Sequence, residues 1–270
     1  MNDWDIIVVG GGPAGMSAAI TARQRDKRVT VMSNDAAGSG LYKAAEVRNY
    51  PGLPNISGAK LLAGFTAQAV SMGAVVARER VSVVLPVGGA VSVNSSGGVT
   101  SAGAVVLAIG VAQTTVFPGE LELLGRGVSY CATCDGMFFR KKRVCVIMQS
   151  ADAESEAAYL ESIGCEVVRL TPRTGSASVN GGGRVESVTV DGATVECAGV
   201  FILRDTVLPS ALAAGIALSD GCIGTDHAMR TSLPGVFAAG DCTGTPYQIA
   251  KAVGQGQIAA LSAVEYIDKN

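Results

Sequence analysis

The sequence predicts an α/β protein, and three stretches of the chain predict this fold class. An apolar strand from Asp5 to Val9 leads through a glycine-rich turn into a helix. A second strand, turn and helix follow the same pattern from Val144 to Leu160. A third apolar strand ends in Gly240-Asp241 and precedes another helical stretch. Continuous apolar runs of this kind are typical of parallel strands covered on both faces. Together the stretches predict two dinucleotide-binding-like three-layer domains.

The composition excludes several classes of protein. Of 270 residues, 48% are hydrophobic and 16% are charged, a lower charged share than the typical value of about 25%. With a net charge of −2, nothing indicates nucleic acid as a partner. No apolar run reaches the roughly 18 residues of a membrane span, and the N-terminus lacks the basic region of a signal peptide. We therefore expect a cytoplasmic protein that does not bind a membrane.

The first glycine-rich turn has the pattern of a dinucleotide-binding loop. It reads GGGPAG and lies between the first strand and its helix. In this pattern Gly10 makes the turn, Gly12 lets the backbone approach a pyrophosphate, and Gly15 lets the helix pack on the strand. The next strand has no acidic residue at its end, where a ribose hydroxyl is normally bound. Ser33 and Asn34 take that place.

A second candidate contact lies near the C-terminal end of the chain. Gly240 allows close approach of the backbone, and Asp241 provides an acidic hydrogen-bond acceptor. Thr245 and Gln248 have the spacing of a capping box, with Pro246 at the first helical position. We therefore expect a helix to begin there. A helix N-terminus offers free N–H groups and positive potential to an electron-rich ligand atom.

The clearest candidate for a reactive site is the pair Cys131 and Cys134, which is followed directly by Asp135. Cysteines at i and i+3 share one face of a helical turn, so a reversible disulfide forms easily, and a helix N-terminus lowers the pKa of a thiol. Asp135 can give a proton to the departing thiolate. A zinc site would want a second such pair or a pair of histidines. The other cysteines are isolated and His227 is the single histidine, so the sequence predicts a redox dithiol and no metal.

The combination of these motifs resembles the low-molecular-weight thioredoxin reductases. CATCDG carries the resemblance, with GGGPAG before it and AGD after it. Residues 38–52, the strand end Ala108–Gly110 and the stretch Thr225–Asp241 extend it along most of the chain. The resemblance implies an FAD domain and a degenerate pyridine-nucleotide-type domain, as in the flavoprotein disulfide reductases, and a homodimer.

The resemblance also implies domain limits and roles for individual residues. The FAD domain would comprise residues 1–112 and 231–270, with the central domain at 113–230 inserted between them. Cys134 would face the flavin, Cys131 would attack the partner's disulfide, and Asp135 would be the acid. Asn49 and Glu46 would lie beside the flavin. The residues expected to bind FAD are Gly10, Gly12, Pro13, Ala14, Gly15, Ser33, Asn34, Gly40, Leu41, Asn49, Ala108, Gly110, Gly240, Asp241, Gln248, Ile249 and Ala250. The family's usual Arg at the head of the last helix is Tyr247 here.

The second turn departs from the pattern of the NADPH-using members. Where these have GxGxxA, this chain has Met148-Gln149-Ser150, with Asp152 close by. A pyrophosphate would meet bulky side chains and a like charge there. The His-Arg-Arg cluster that reads the 2′-phosphate is reduced to Arg173, and a stretch that usually bears glycine reads LRDT at 203–206. The loss of three features predicts that NADPH is not the electron donor.

This pattern resembles the ferredoxin-linked flavoenzyme thioredoxin reductases, which keep FAD and CxxC and accept single electrons from reduced ferredoxin. The expected partners are therefore reduced ferredoxin as donor and thioredoxin as disulfide substrate. An oxygen-dependent dithiol oxidase is an alternative, although such enzymes tend to carry histidine bases near the dithiol. A non-catalytic redox sensor is another, for which Asp135 would be unnecessary. A divergent NADPH enzyme would need a different phosphate site.

Overall fold

The chain divides into two compact units in a computed structural model that describes residues 2–33, 41–111, 116–150, 153–204 and 208–270. One unit is Met1–Ala112 with Leu208–Asn270, and the other is Gln113–Val207. The domain limits that the sequence predicts, with the central domain at 113–230, stay a prediction. Residues 208–230 have contacts within the first unit. The amide of Ala217 donates to Ser232 Oγ at 2.8 Å, and Ala238 N donates to Met229 O at 3.1 Å.

Strands and helices alternate along much of the chain, as the predicted α/β class requires. The first unit begins with β1 (Trp4–Val9), α1 (Pro13–Arg23), β2 (Val29–Ser33), α2 (Gly58–Ser71), β3 (Val75–Arg78), β4 (Val81–Val87), β5 (Ala90–Ser95) and β6 (Gly98–Leu107). The second unit contains β7 (Val128–Ser129), α3 (Ala132–Asp135), a 3-10 turn (Gly136–Phe139), β8 (Arg143–Gln149), α4 (Ala153–Ser162), β9 (Glu166–Leu170), β10 (Ala177–Asn180), β11 (Ser187–Val190), β12 (Ala193–Glu196) and β13 (Gly199–Arg204). The first unit resumes with α5 (Pro209–Leu212), β14 (Leu218–Ser219), β15 (Cys222–Ile223), β16 (Val236–Ala238), a 3-10 turn (Asp241–Thr243) and α6 (Ile249–Lys269).

A seven-stranded sheet forms the centre of the first unit. Its order is β3-β2-β1-β6-β5-β4, and β16 pairs with the last residues of β6. The strands β1, β2, β3, β6 and β16 are parallel, whereas β4, β5 and the start of β6 form an antiparallel meander. Ile6–Val9 pairs in register with Val29–Met32 and with Ala104–Leu107, and all three runs are buried. Burial on both faces explains why these strands are continuously apolar rather than alternating.

Small residues let α1 and α6 pack closely on one face of this sheet. A Cβ placed on Gly256 would lie 2.1 Å from the carbonyl oxygen of Ala14, and Ser17 Oγ donates to Val253 O at 2.7 Å. The buried alanines of these two helices include Ala18, Ala19, Ala22, Ala259, Ala260 and Ala263. Within the described ranges, no helix is both long and apolar enough to cross a membrane.

The second unit contains a four-stranded parallel sheet and a three-stranded antiparallel sheet. The parallel sheet has the order β7-β13-β8-β9, and the antiparallel sheet has the order β10-β11-β12. Buried residues of β8, β13 and α4 form one core cluster with Ala132 of α3. The strand and helix of the second predicted dinucleotide-type unit are therefore both present, as β8 and α4.

The predicted start of the last helix is wrong. Helix α6 begins at Ile249, with Gln248 as its N-cap residue and no side-chain capping bond. Pro246 precedes the helix and follows a cis peptide bond to Thr245. The capping box fails because the Gln248 side chain has another partner. Its Oε1 accepts a hydrogen bond from Asn49 Nδ2 at 2.8 Å.

Because α6 approaches α1 closely at Gly256, we expect Gly256→Ala and Gly64→Ala to change the free energy of unfolding in opposite directions. Gly256→Ala forces a methyl group against the Ala14 backbone and is expected to lower the free energy of unfolding by about 1–3 kcal/mol. Gly64 lies inside α2, where an added methyl meets none of the described atoms within 4 Å. Gly64→Ala is therefore expected to raise the free energy of unfolding by about 0.5–1 kcal/mol. Urea unfolding of both variants measures the difference, and equal effects would contradict the packing described.

Candidate functional site

The loop between β1 and α1 has the geometry that its glycines predict. Gly10 has a φ of +110°, and a Cβ there would lie 2.3 Å from Ala108 O. A Cβ on Gly15 would lie 1.9 Å from Gly10 O, so both positions need glycine. A Cβ on Gly12 would meet no described atom within 4 Å, and its backbone therefore borders open space. Helix α1 begins at Pro13 without a side-chain cap, which leaves its N-terminus to a bound group.

Four residues at the end of β2 and beyond it were also predicted to bind the cofactor, namely Ser33, Asn34, Gly40 and Leu41. Ser33 ends β2 beside the glycine loop, since a Cβ on Gly11 would lie 2.9 Å from Ser33 Oγ. Leu41 lies against the start of α2, where a Cβ on Gly58 would meet its carbonyl oxygen at 1.8 Å. Asn34 and Gly40 lie outside the described residues. Of this group, the structure brings Ser33 to the loop.

The carboxyl ends of β1, β6 and β16 converge on the same edge of the sheet. Ala108 N donates to Val9 O at 2.8 Å, which places the end of β6 beside the end of β1. Gly110 follows with a φ of +69°. Gly240, at the end of β16, has a φ of +86°, and a Cβ there would lie 2.9 Å from the Cβ of Ala14. Ligands of open parallel sheets bind outside the carboxyl ends of the strands, so these residues border one candidate site.

Asp241 presents a carboxylate oxygen that none of the described residues satisfies. Its Oδ1 is buried and has no hydrogen-bond partner among the described residues. Burial raises the pKa of the Asp241 carboxyl group, and the nearby Lys251 ammonium opposes that shift. Buried polar atoms in native proteins almost always have a partner. The geometry therefore fits a ligand that donates a hydrogen bond, such as the hydroxyl groups of a dinucleotide.

The start of α6 meets the segment that contains Asn49. The hydrogen bond from Asn49 to Gln248 joins residues 199 positions apart in the chain. Ile249 and Ala250 form the first turn of α6, which has no side-chain cap. Glu46, which was expected beside the flavin, forms an exposed ion pair with Arg48 at 2.6 Å. The structure therefore brings together Asn49 and the helix start and gives Glu46 a surface partner.

The predicted disulfide in the second unit is confirmed. Cys131 and Cys134 are joined, with their Cα atoms 5.3 Å apart. Cys131 is the N-cap residue of α3, and its Sγ accepts a hydrogen bond from Cys134 N at 3.2 Å. Cys131 is buried and Cys134 is half-buried. One helical turn therefore holds both sulfurs in bonding position.

Two side chains that the sequence analysis did not single out hold this turn. Ser129 Oγ donates to Asp135 Oδ2 at 2.7 Å and accepts from Cys131 N at 3.1 Å. Glu156, buried on α4, accepts a hydrogen bond from Ala132 N at 2.8 Å. The Ser129 bond orients the carboxylate next to the dithiol. The Glu156 bond fixes the start of α3 to the neighbouring helix.

A buried ion pair lies at the end of β13. Glu120 is fully buried, and its carboxylate binds the Arg204 guanidinium through contacts of 2.5 and 2.8 Å. Phe117 N donates to the same carboxylate at 2.9 Å, and Tyr130 Oη donates to it at 2.8 Å. Burial, together with the Glu120 charge, raises the pKa of the Tyr130 phenol. The network therefore connects the end of the sheet to the residue directly before Cys131.

One of the residues that replace the second glycine loop, Gln149, joins this network. Gln149 is the register partner of Arg204, and its Oε1 accepts from Arg204 Nε at 3.1 Å. The Arg204 guanidinium also lies over the Phe117 ring, 4.6 Å from its centre. Asp152 and the residues after Arg204, 205–207, lie outside the described part of the chain. The carboxyl ends of β8 and β13 are thus cross-linked by side chains where a nucleotide-binding fold would place its ligand.

The residues that hold the dithiol turn and the buried ion pair are difficult to recognise from the sequence. Arg204 stands out because it interrupts a stretch that usually bears glycine, but its partner Glu120 lies 84 residues away. Glu156 lies on a helix with several other acidic residues, so its burial has no local sign. Tyr130 is next to the dithiol, but its partner Glu120 lies ten residues before it with no shared motif.

Comparison with known proteins relates these features to one family. The family model of the pyridine nucleotide-disulphide oxidoreductases matches residues 4–174 and 146–256. A thioredoxin reductase of Treponema pallidum is 35% identical over 99% of this chain and 98% of its own. A crystal structure of a ferredoxin-flavin thioredoxin reductase from Clostridium acetobutylicum has a TM-score of 0.89 and 35% identity, covering 99% of both chains. A thioredoxin reductase structure from Gloeobacter violaceus has a TM-score of 0.81 and 31% identity, covering 99% of this chain and 95% of that chain. The predicted fold class, of the flavoprotein disulfide reductase type, is confirmed.

The buried ion pair predicts a large loss of stability when one partner is removed. Glu120→Ala leaves the Arg204 guanidinium buried without its countercharge and is expected to lower the free energy of unfolding by about 3–5 kcal/mol. The control is Glu166→Ala, which breaks a pair with Arg143 whose side chains are 62% and 47% exposed. That change is expected to cost less than about 1 kcal/mol. Urea unfolding of both variants measures the contrast, and a loss as small for Glu120→Ala as for the control would refute the assignment.

Proposed function

This chain belongs to the pyridine nucleotide-disulphide oxidoreductase family, and from that premise we propose that it is a thioredoxin reductase that receives its electrons from reduced ferredoxin. Its cofactor is FAD, as in the thioredoxin reductases to which it is similar. Bound FAD supplies a centre that takes up electrons singly and releases them as a pair. That property matches a one-electron donor to a two-electron disulfide substrate.

The first unit has residues that fit FAD at both ends of the molecule. The α1 N-terminus and the open backbone at Gly12 suit the pyrophosphate, since a helix N-terminus attracts phosphate. The unpartnered Asp241 Oδ1 suits a hydroxyl group. The uncapped start of α6, beside the Asn49–Gln248 hydrogen bond, suits the flavin end. These residues are the ones that we assign to cofactor binding.

One observation is the main support for reduced ferredoxin, rather than NADPH, as the electron donor. In the second unit, Arg204 and Gln149 are hydrogen-bonded across the carboxyl ends of β13 and β8. A pyrophosphate that drew Arg204 away from Glu120 would leave a buried carboxylate without its countercharge, which is strongly unfavourable. This supports a donor that needs no nucleotide site in the second unit. The similarity to a ferredoxin-flavin thioredoxin reductase supports the same choice.

The dithiol supports a protein disulfide as the substrate. In the reduced state, the Cys131 thiolate attacks one sulfur of the thioredoxin disulfide, and one thioredoxin thiolate leaves. Cys134 then attacks Cys131 Sγ, the second thioredoxin thiolate leaves, and the Cys131–Cys134 disulfide is restored. We assign to Asp135, which accepts a hydrogen bond from Ser129, the role of supplying a proton to a departing thiolate. A homodimer and a cytoplasmic location also stay part of the proposal.

The choice of donor is tested by following flavin absorbance in the purified protein without oxygen. We expect reduced ferredoxin to bleach the flavin and thioredoxin disulfide to restore its colour. NADPH and NADH are expected to leave the flavin oxidised, because the second unit lacks their binding loop. Cys134→Ser is the control, since the flavin should still be bleached by ferredoxin but should not be restored by thioredoxin. Rapid bleaching by NADPH would refute the proposed donor.

The division of labour between the two cysteines predicts a trapped intermediate. Cys134→Ser leaves Cys131 to attack thioredoxin with no second thiol to resolve the bond, so a stable mixed disulfide should accumulate. Cys131→Ser should form no such complex, because we assign the remaining cysteine, Cys134, to exchange with the flavin and not with thioredoxin. Non-reducing electrophoresis after mixing with thioredoxin disulfide measures the complex. The reverse pattern would exchange the roles of the two cysteines.

A further inference from the structure

Two side chains of α6 hold the segment Gly240–Gly244, which we call the Asp241 loop. Lys251 Nζ donates hydrogen bonds to Gly244 O and, at 3.1 Å, to Gly240 O. Gln255 Oε1 accepts from Gly240 N at 3.0 Å. Lys251 and Gln255 are four residues apart, so they lie on the same face of the helix. Helix α6 therefore binds both ends of the Asp241 loop.

Thr243 of the Asp241 loop has hydrogen-bond partners within the protein, whereas one oxygen of the Asp241 carboxylate is available to a ligand. Thr243 Oγ1 lies 2.8 Å from Gly240 O and 3.0 Å from Gln255 Oε1, and Thr243 N donates to Gly240 O at 3.0 Å. Asp241 Oδ1, between the two held ends, is buried without a partner in the described part of the chain. The hydrogen bonds thus fix the backbone on either side of the carboxylate and direct one of its oxygens into the candidate site.

Lys251 also provides the countercharge for this carboxylate. Burial disfavours the ionised form of Asp241 by raising its pKa, and the Lys251 ammonium group acts in the opposite direction. An ionised carboxylate is the stronger acceptor for a ligand hydroxyl group. A neutral side chain at position 251 would lose both the loop contacts and this charge.

We propose that Lys251 and Gln255 are positioning residues for FAD, which hold the Asp241 loop so that the Asp241 carboxylate accepts a hydrogen bond from the cofactor. Neither residue belongs to the glycine loop or to the Gly-Asp strand end. The inference concerns cofactor binding in the first unit. It holds whichever protein or nucleotide reduces the flavin.

The first test measures FAD affinity by titrating the apoprotein with FAD and following flavin fluorescence. Lys251→Met removes a charged donor with little change in length, and we expect the dissociation constant to rise about ten- to hundredfold. Lys251→Arg keeps the charge and the donors and should stay within about threefold of the unaltered protein. Lys269→Met, at the exposed end of the same helix, should leave the affinity unchanged. An unchanged affinity in Lys251→Met would overturn the proposal.

A double-mutant cycle with Asp241→Asn tests whether Lys251 acts through Asp241. If it does, adding Lys251→Met to Asp241→Asn should weaken FAD binding much less than Lys251→Met does alone. Full additivity would mean that the two residues act independently and would overturn the assignment. Gln255→Met gives a second route to the loop and should weaken FAD binding by several-fold. Urea unfolding of each apoprotein separates this role from a structural one, since equal losses of affinity and apoprotein stability would favour packing alone.

Discussion

A parallel sheet ends in backbone groups and helix N-termini that need partners, and each unit of this protein provides them differently. In the first unit, the described residues at the ends of β1, β6 and β16 leave space beside Gly12 and give Asp241 Oδ1 no hydrogen-bond partner. In the second unit, the ends of β8 and β13 are joined by Gln149 and Arg204. The same type of edge is thus open to the cofactor that we assign to it in one unit and is closed by side chains in the other.

The closure of the second unit depends on the charge balance between Glu120 and Arg204. The Arg204 side chain would be costly to bury alone, because removal of a charge from water costs several kcal/mol. Glu120 compensates it, and the amide of Phe117 and the Tyr130 hydroxyl satisfy the carboxylate further. Reopening the edge for a nucleotide would require changes at several positions at once. The closed edge is therefore a stable alternative to a binding loop rather than a partly damaged one.

Features of the sequence that act locally allowed accurate predictions. The apolar run of β1, the glycines of its loop and the CxxC spacing each constrain only their neighbours, and the structure contains all three. Contacts between distant parts of the chain were not predictable in this way. Residues 208–230 pack with the first unit, and Gln248 binds Asn49 instead of capping its own helix. Glu120, Glu156 and Lys251 have their roles through partners that no local pattern indicates.

The support of the dithiol explains why β8 and α4 persist without their glycine loop. Glu156 extends from α4 to the backbone of α3 at Ala132, directly after Cys131. The buried faces of β8 and α4 form the core against which α3 packs. Removal of the strand or the helix would therefore expose the turn that carries the disulfide. The turn between β8 and α4 does not support the dithiol in this way. In a nucleotide-binding loop, the glycines at such a turn serve only to bring the backbone close to a phosphate. With the electron donor that we propose, no nucleotide binds in this unit, so the loop is free to change while the strand and the helix are still required.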